Sequence, residues 1–207
     1  MADDIFSIID YESLTNIQFR YPLWGDNVLW AYASLQMIGA TLASGHQSFD
    51  RISYMVRAKA FKAYREGRWN VHDMYRLNKE KIRNTDTCWY CGCHVEANEL
   101  TADHVFPRAK GGTNEMENII FVCRSCNSSK GKRDLIEWML DNKLMPSYNV
   151  SEHYLKEIYF HTIDCSLMNI PVAEVVNSPL PFNPRSVLLF QHATFLKSYL
   201  ASLSPDS

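Results

Sequence analysis

Six cysteines punctuate this 207-residue chain, and four of them form two Cys-x-x-Cys pairs, Cys88/Cys91 within CWYCGC and Cys123/Cys126 within CRSCN. A two-residue spacer lets both thiolates of a pair reach one ion, and two such knuckles complete a tetrahedral four-sulfur site suited to zinc. Cys88, Cys91, Cys123 and Cys126 are therefore the expected ligands of a structural Zn2+. Cys93 and His94 could replace a ligand only through a less regular knuckle, and Cys165 stands apart. The two pairs are 31 residues apart, more than the roughly 15–20 of a plain zinc ribbon, so something is inserted between them.

The insert contains VEANELTADHVFPRAKGGTNEMENIIFV. Its short apolar runs predict strands over residues 99–105 and 119–122, joined by a polar loop that turns at Gly111-Gly112. After the second knuckle, Asn127-Ser-Ser-Lys opens an expected short helix, giving the order strand, loop, strand, helix. The segments CWYC, ADHVFPRAKGGTNEMENIIFVC and RSCNSSKGKRDLIEW together resemble the HNH endonucleases, a branch of the ββα-metal (His-Me finger) nucleases. The resemblance covers about a quarter of the chain and implies a ββα-metal core. It assigns His104 as the general base that takes a proton from the attacking water, and Asn118 as the residue that holds the loop and orients that base. It assigns Asp103 and Asn127 as oxygen ligands of a catalytic Mg2+ or Mn2+. Asn114 rivals Asn118 for the middle position, but Asn118 directly precedes the Ile-Ile-Phe-Val strand. Asn127 departs from the archetypal final His. An imidazole titrates near neutral pH and can accept the proton. A carboxylate, an amide oxygen, water and phosphate oxygens make a hard shell that suits magnesium or manganese and not zinc.

The elements that must position these groups lie on either side. Residues 28–44 carry a roughly helical apolar stripe. They are too short and polar for a bilayer span and read as a buried helix. Helices are also expected over about 49–66, 71–82 and 134–142, in a stretch beginning at 151, and over about 185–203. The fold class is thus α+β: a mainly helical region 1–86, a nuclease core 87–142 and a mainly helical extension 143–207.

Formal net charge is only -2, so no uniformly basic surface grips nucleic acid. Residues 51–83, however, hold ten Lys/Arg against three acids. Arg57, Lys62, Arg65 and Arg68 from this stretch are candidate DNA contacts, with Arg108, Lys110, Lys130, Lys132 and Arg133 beside the site. The alternative for each is a solvated helix face. Trp89, Tyr90 and Trp138 are expected to pack around the knuckles. The acidic N-terminus lacks a signal peptide's pattern and the paired cysteines suit a reducing setting, so a cytoplasmic protein is expected.

These features predict a metal-dependent DNA endonuclease, with restriction or antiphage effectors of bacteria and phage as the similar proteins. The competing function is a catalytically silent zinc-stapled module that binds nucleic acid or protein. A third is a nuclease held inactive until a partner or nucleotide signal arrives. The flanking helical regions would suit a protein partner or a second copy.

Overall fold

The computed structural model describes residues 18–70 and 86–203. Its helices and single antiparallel sheet are those of an α+β protein, as the sequence predicts. Helix α1 (Trp24–Ala43) is apolar on most of its surface and buries Trp24, Val28, Leu35 and Ile38. It starts four residues before the expected stripe. Asn27 explains the early start: its amide donates to the Leu23 carbonyl at 2.7 Å and accepts from the Tyr21 N–H at 3.1 Å. That pattern fixes the chain's entry without adding an apolar position to read.

Helix α2 (Arg51–Arg65) begins at a capping box, where the Asp50 carboxylate accepts from the Ser53 N–H at 2.8 Å and Ser53 reaches back. It buries the small residues Ser53, Ala60 and Ala63, and Tyr64. The expected helix over 71–82 lies outside the described residues.

Strands β1 (Leu100–His104) and β2 (Ile119–Cys123) pair antiparallel, with Leu100 opposite Cys123 and His104 opposite Ile119. Helix α3 (Arg124–Lys130) follows at once, so its start precedes Asn127 by three residues. The Cys123 sulfur caps it by accepting from the Cys126 N–H at 3.5 Å. Helix α4 (Leu135–Asp141) is capped by buried Asp134, whose carboxylate accepts from the Ile136 and Glu137 N–H groups. The same carboxylate takes the Tyr154 hydroxyl at 2.6 Å and the Asn183 N–H at 3.0 Å, pinning the C-terminal region to the start of α4.

Helix α5 (Tyr148–Asp164) packs against α1. It is followed by short α6 (Val172–Val175) and α7 (Ser186–Leu189), and by α8 (Ala193–Ser202). The single final helix expected over 185–203 is thus broken at residues 190–192. There Phe190 is buried against Phe195 and Tyr199, and this packing overrides local periodicity. One apolar core runs through all three regions of the chain. Trp24 stacks on Phe182 at 6.0 Å between ring centroids, and Phe182 packs on Phe106 at 5.1 Å. This aromatic series links the first helix to the residues just beyond His104. Among the described residues, no helix is long and apolar enough to cross a membrane.

Candidate active site

Alternation along β1 sends Thr101 and Asp103 toward α3 and leaves His104 at the strand's end, where the chain turns into the loop. Asp103 is buried, its Oδ2 accepting from the Tyr90 hydroxyl at 2.6 Å and lying 2.9 Å from the Lys130 ammonium. Burial and the neighbouring Asp103 charge raise the Tyr90 phenol far above its ordinary range. Lys130 is buried completely and also donates to the His104 carbonyl at 2.7 Å. Burial lowers its pKa, and the Asp103 charge opposes that shift. Lys130 therefore departs from the expected phosphate-facing position and ties α3 to the end of β1. Asn127, one turn earlier, donates its amide N–H to Thr101 Oγ1 at 3.0 Å and to the Ala102 carbonyl at 3.2 Å.

Asn118 is 1% exposed and acts on the loop backbone. Its amide oxygen accepts from the Phe106 N–H at 2.6 Å, while its nitrogen donates to the carbonyls of Phe106 and Thr113, each at 2.9 Å. A Cβ at Gly112 would lie 1.8 Å from the Phe106 oxygen, so only glycine admits this close passage. Asn114 sits at the loop tip, its Oδ1 3.1 Å from His104 Nε2. The two rival asparagines thus have separate places: Asn118 clamps the backbone and Asn114 meets the imidazole. Sequence reasoning assigned nothing to Asn114 beyond that rivalry and gave Tyr90 only packing. The two contacts span ten and 13 residues, which no local pattern encodes.

The knuckles bring five sulfurs together. Those of Cys88, Cys91, Cys93 and Cys123 all lie within 4.8 Å of one another, and Cys126 interacts with Cys91 and Cys123 in the same group. Against the opposing effect of burial, hydrogen bonds from Cys93 and the other thiols bring Cys91 down to about 7. Burial raises Cys126. A set of convergent thiols with one already acidic fits zinc. Cys93, a ligand in the sequence reading only through a less regular knuckle, is in the cluster. Tyr90 packs on Trp138 at 5.1 Å between centroids, under the knuckle that Trp89 partly covers.

Residues 88–135 match the HNH endonuclease family. That segment is an HNH endonuclease domain. Its relatives include proteins named CRISPR-associated endonuclease Cas9, from Corynebacterium diphtheriae and Actinomyces naeslundii. The first is 34% identical over 87 residues, covering 39% of this chain and 8% of the relative. The second is 31% identical over 75 residues, covering 36% of this chain and 7% of the relative. The chain thus spans less than a tenth of the length of these curated relatives. No solved structure matches.

The candidate DNA contacts around the HNH domain fall into distinct groups. Arg108 and Lys110 are exposed on the turn after Pro107, and Lys132 is exposed beyond α3. Arg133 is also exposed but donates to the Ser129 carbonyl and faces Asp141. On α2 and just beyond it, Lys62 and Arg68 both pair with Glu66, and Arg65 pairs with Asp26 at 3.2 Å. Arg57 is half-buried over the Trp30 ring at 4.6 Å. The charge excess of this stretch is therefore partly neutralised by its own fold.

Proposed function

We propose that this protein is a metal-dependent endonuclease that hydrolyses DNA phosphodiester bonds, with His104 as general base. The observation that supports it best is the Asn118 clamp. It fixes the peptide at Phe106, two residues past His104, while Asn114 restrains the ring itself. An amide oxygen can only accept, so Asn114 favours a proton on Nε2 and leaves Nδ1 as the basic nitrogen. His104 would take the proton from water at that atom. Asp103 on β1 and Asn127 on α3, the helix that Asn127 and Lys130 tie to that strand, would hold Mg2+ or Mn2+ through oxygen. Tyr90 and Lys130 both meet Asp103 at Oδ2, so Oδ1 would be the atom to face an ion. When bound, such an ion offsets charge on the scissile phosphate and the leaving oxygen. Lys130 and Tyr90 fix the carboxylate's orientation, and the exposed Arg108, Lys110 and Lys132 would meet phosphates. Zinc would be structural, held by Cys88, Cys91, Cys123 and Cys126. A role in restriction or antiphage defence is in keeping with the relatives named CRISPR-associated endonuclease Cas9; the protein would act in the cytoplasm, and the helical flanks would take a protein partner or a second copy.

The Lys130 ammonium on Asp103 supports a second reading, a silent zinc-stapled binding module, because the carboxylate already has an internal counter-charge. Plasmid cleavage with magnesium, manganese and a chelator separates the two. The nuclease reading expects metal-dependent cutting that His104→Ala abolishes. No cutting by wild-type protein with any metal, alone or with candidate partners and nucleotides, favours the silent module.

A further inference from the structure

Behind the loop that carries Asn114 and Asn118 lies a cavity of about 410 Å3 between that loop and the C-terminal half of α5. Its acids are Glu115 and Glu117 from the loop side and Glu157 and Asp164 from the helix. Glu157 is 7% exposed, and its Oε1 has no hydrogen-bond partner. An unpaired buried carboxylate oxygen is costly, and its presence on a cavity wall marks a place for a donor. Lys156 supplies some countercharge to Glu157, whereas Glu117 and Asp164 oppose its ionisation; burial pushes its pKa up to about 7. The other walls are Phe106, Phe160 and His161, with half-exposed Ile163 at the side.

This chemistry separates the candidate occupants. Among the described residues, only the cysteine cluster brings three potential metal ligands within 4.8 Å of one another, so the carboxylates here are too dispersed for a small dehydrated ion. The volume is likewise far larger than one ion needs. Aromatic faces beside spaced carboxylates suit a flat, weakly hydrated cation that can stack and donate in several directions. We propose that this cavity is a binding site for a guanidinium group, seated on Glu157 and Asp164 between the aromatic walls. Thr113 and Glu115, on either side of Asn114, and the clamp residue Asn118 line one side of the cavity, so its occupant touches the segment next to His104.

The test uses the full chain, labelled for amide NMR, titrated with butylguanidine and with its neutral isostere butylurea. Butylguanidine should shift the Gly112 and Thr113 amides saturably, butylurea should not, and Glu157→Gln or Asp164→Asn should weaken the binding about tenfold or more. Nα-acetyl-arginine N-methylamide distinguishes the source. Equal binding assigns an arginine side chain of a partner, and binding of butylguanidine alone assigns a free guanidine. The proposal is overturned if butylurea binds equally, if magnesium chloride reproduces the shifts, if both variants bind like wild type, or if butylguanidine leaves the loop amides unmoved. None of these readouts depends on DNA cleavage.

Discussion

Around the β1–β2 hairpin and α3 the decisive interactions are polar: Tyr90 and Lys130 on Asp103, Asn127 on Thr101, Asn118 on Phe106. Between α1, α2 and α5 they are apolar and diffuse, spread over Trp24, Val28, Leu35, Ile38, Leu155 and Ile158. A polar site loses its geometry when one partner goes, because the remaining group is left buried and unpaired. An apolar interface loses stability in proportion to what is removed and keeps its form. Precision thus sits in the hairpin and robustness in the helices.

Removing the metal clip is the strongest way to break this contrast. Structural zinc contributes on the order of 10–16 kcal/mol in small knuckle sites, so Cys88→Ser should abolish zinc content and unfold residues 88–135. Amide exchange should still protect α1 and α5. Equal loss of protection in both halves would mean a single cooperative unit. Zinc retention in Cys93→Ser and loss in Cys126→Ser would assign the fourth ligand to Cys126; the reverse pattern would assign it to Cys93.

His104→Ala should lower cleavage by about 10²–10⁴-fold with zinc content and melting temperature unchanged, since His104 is only partly buried and no core packing rests on it. A fall in melting temperature would show that the imidazole is structural. Trp24→Ala is the opposite probe. Its ring is 0% exposed and its Nε1–H donates to Thr162 at 2.9 Å, so the change should cost about 3–5 kcal/mol in denaturant unfolding while zinc stays bound.

Asn118→Ala leaves the Phe106 N–H and carbonyl unpaired at a buried position and should cost about 1–3 kcal/mol. Cleavage should fall more steeply than that loss of stability accounts for. Cleavage at wild-type rate would show that the clamp does not orient the base.

The smallest effect concerns pH. Burial lowers His153 from 6.5 to about 4, so its contribution is present above 6.5 and is lost as pH falls toward 4. Burial raises Glu157 from 4.5 to about 7, so its contribution is present below 4.5 and is lost as pH rises through 7. The two slopes oppose each other, so the contributions of these two residues largely offset between pH 4.5 and 6.5. Glu157→Gln should uncover a rise with pH across that interval, and His153→Gln a fall. A flat profile in either variant would show that its counterpart does not titrate as described.

What the sequence revealed follows the same division. The hairpin was legible to within a residue or two, because short apolar runs bounded by knuckles and a Gly-Gly turn leave few registers. The α+β class and the HNH resemblance followed from that segment. Lys130 was not legible: a lysine one turn after Asn127 reads as solvated, and only the tertiary meeting with Asp103 explains its burial. Asp134 could be read as a helix start, yet its bonds to Tyr154 and Asn183 span 20 and 49 residues. The break at residues 190–192 was hidden because the side chains that cause it belong to the same apolar pattern that predicts continuity.

The ring series Trp24–Phe182–Phe106 makes the loop after His104 a tenant of another part of the chain. Phe106 takes its backbone partner from within residues 88–135, but its stacking partner comes from residue 182, which is braced in turn by residue 24. A bare 88–135 cassette would carry the motif letters and the thiols while leaving this ring without its neighbour. Portability therefore has a definite cost: a recipient scaffold must supply an aromatic brace against Phe106.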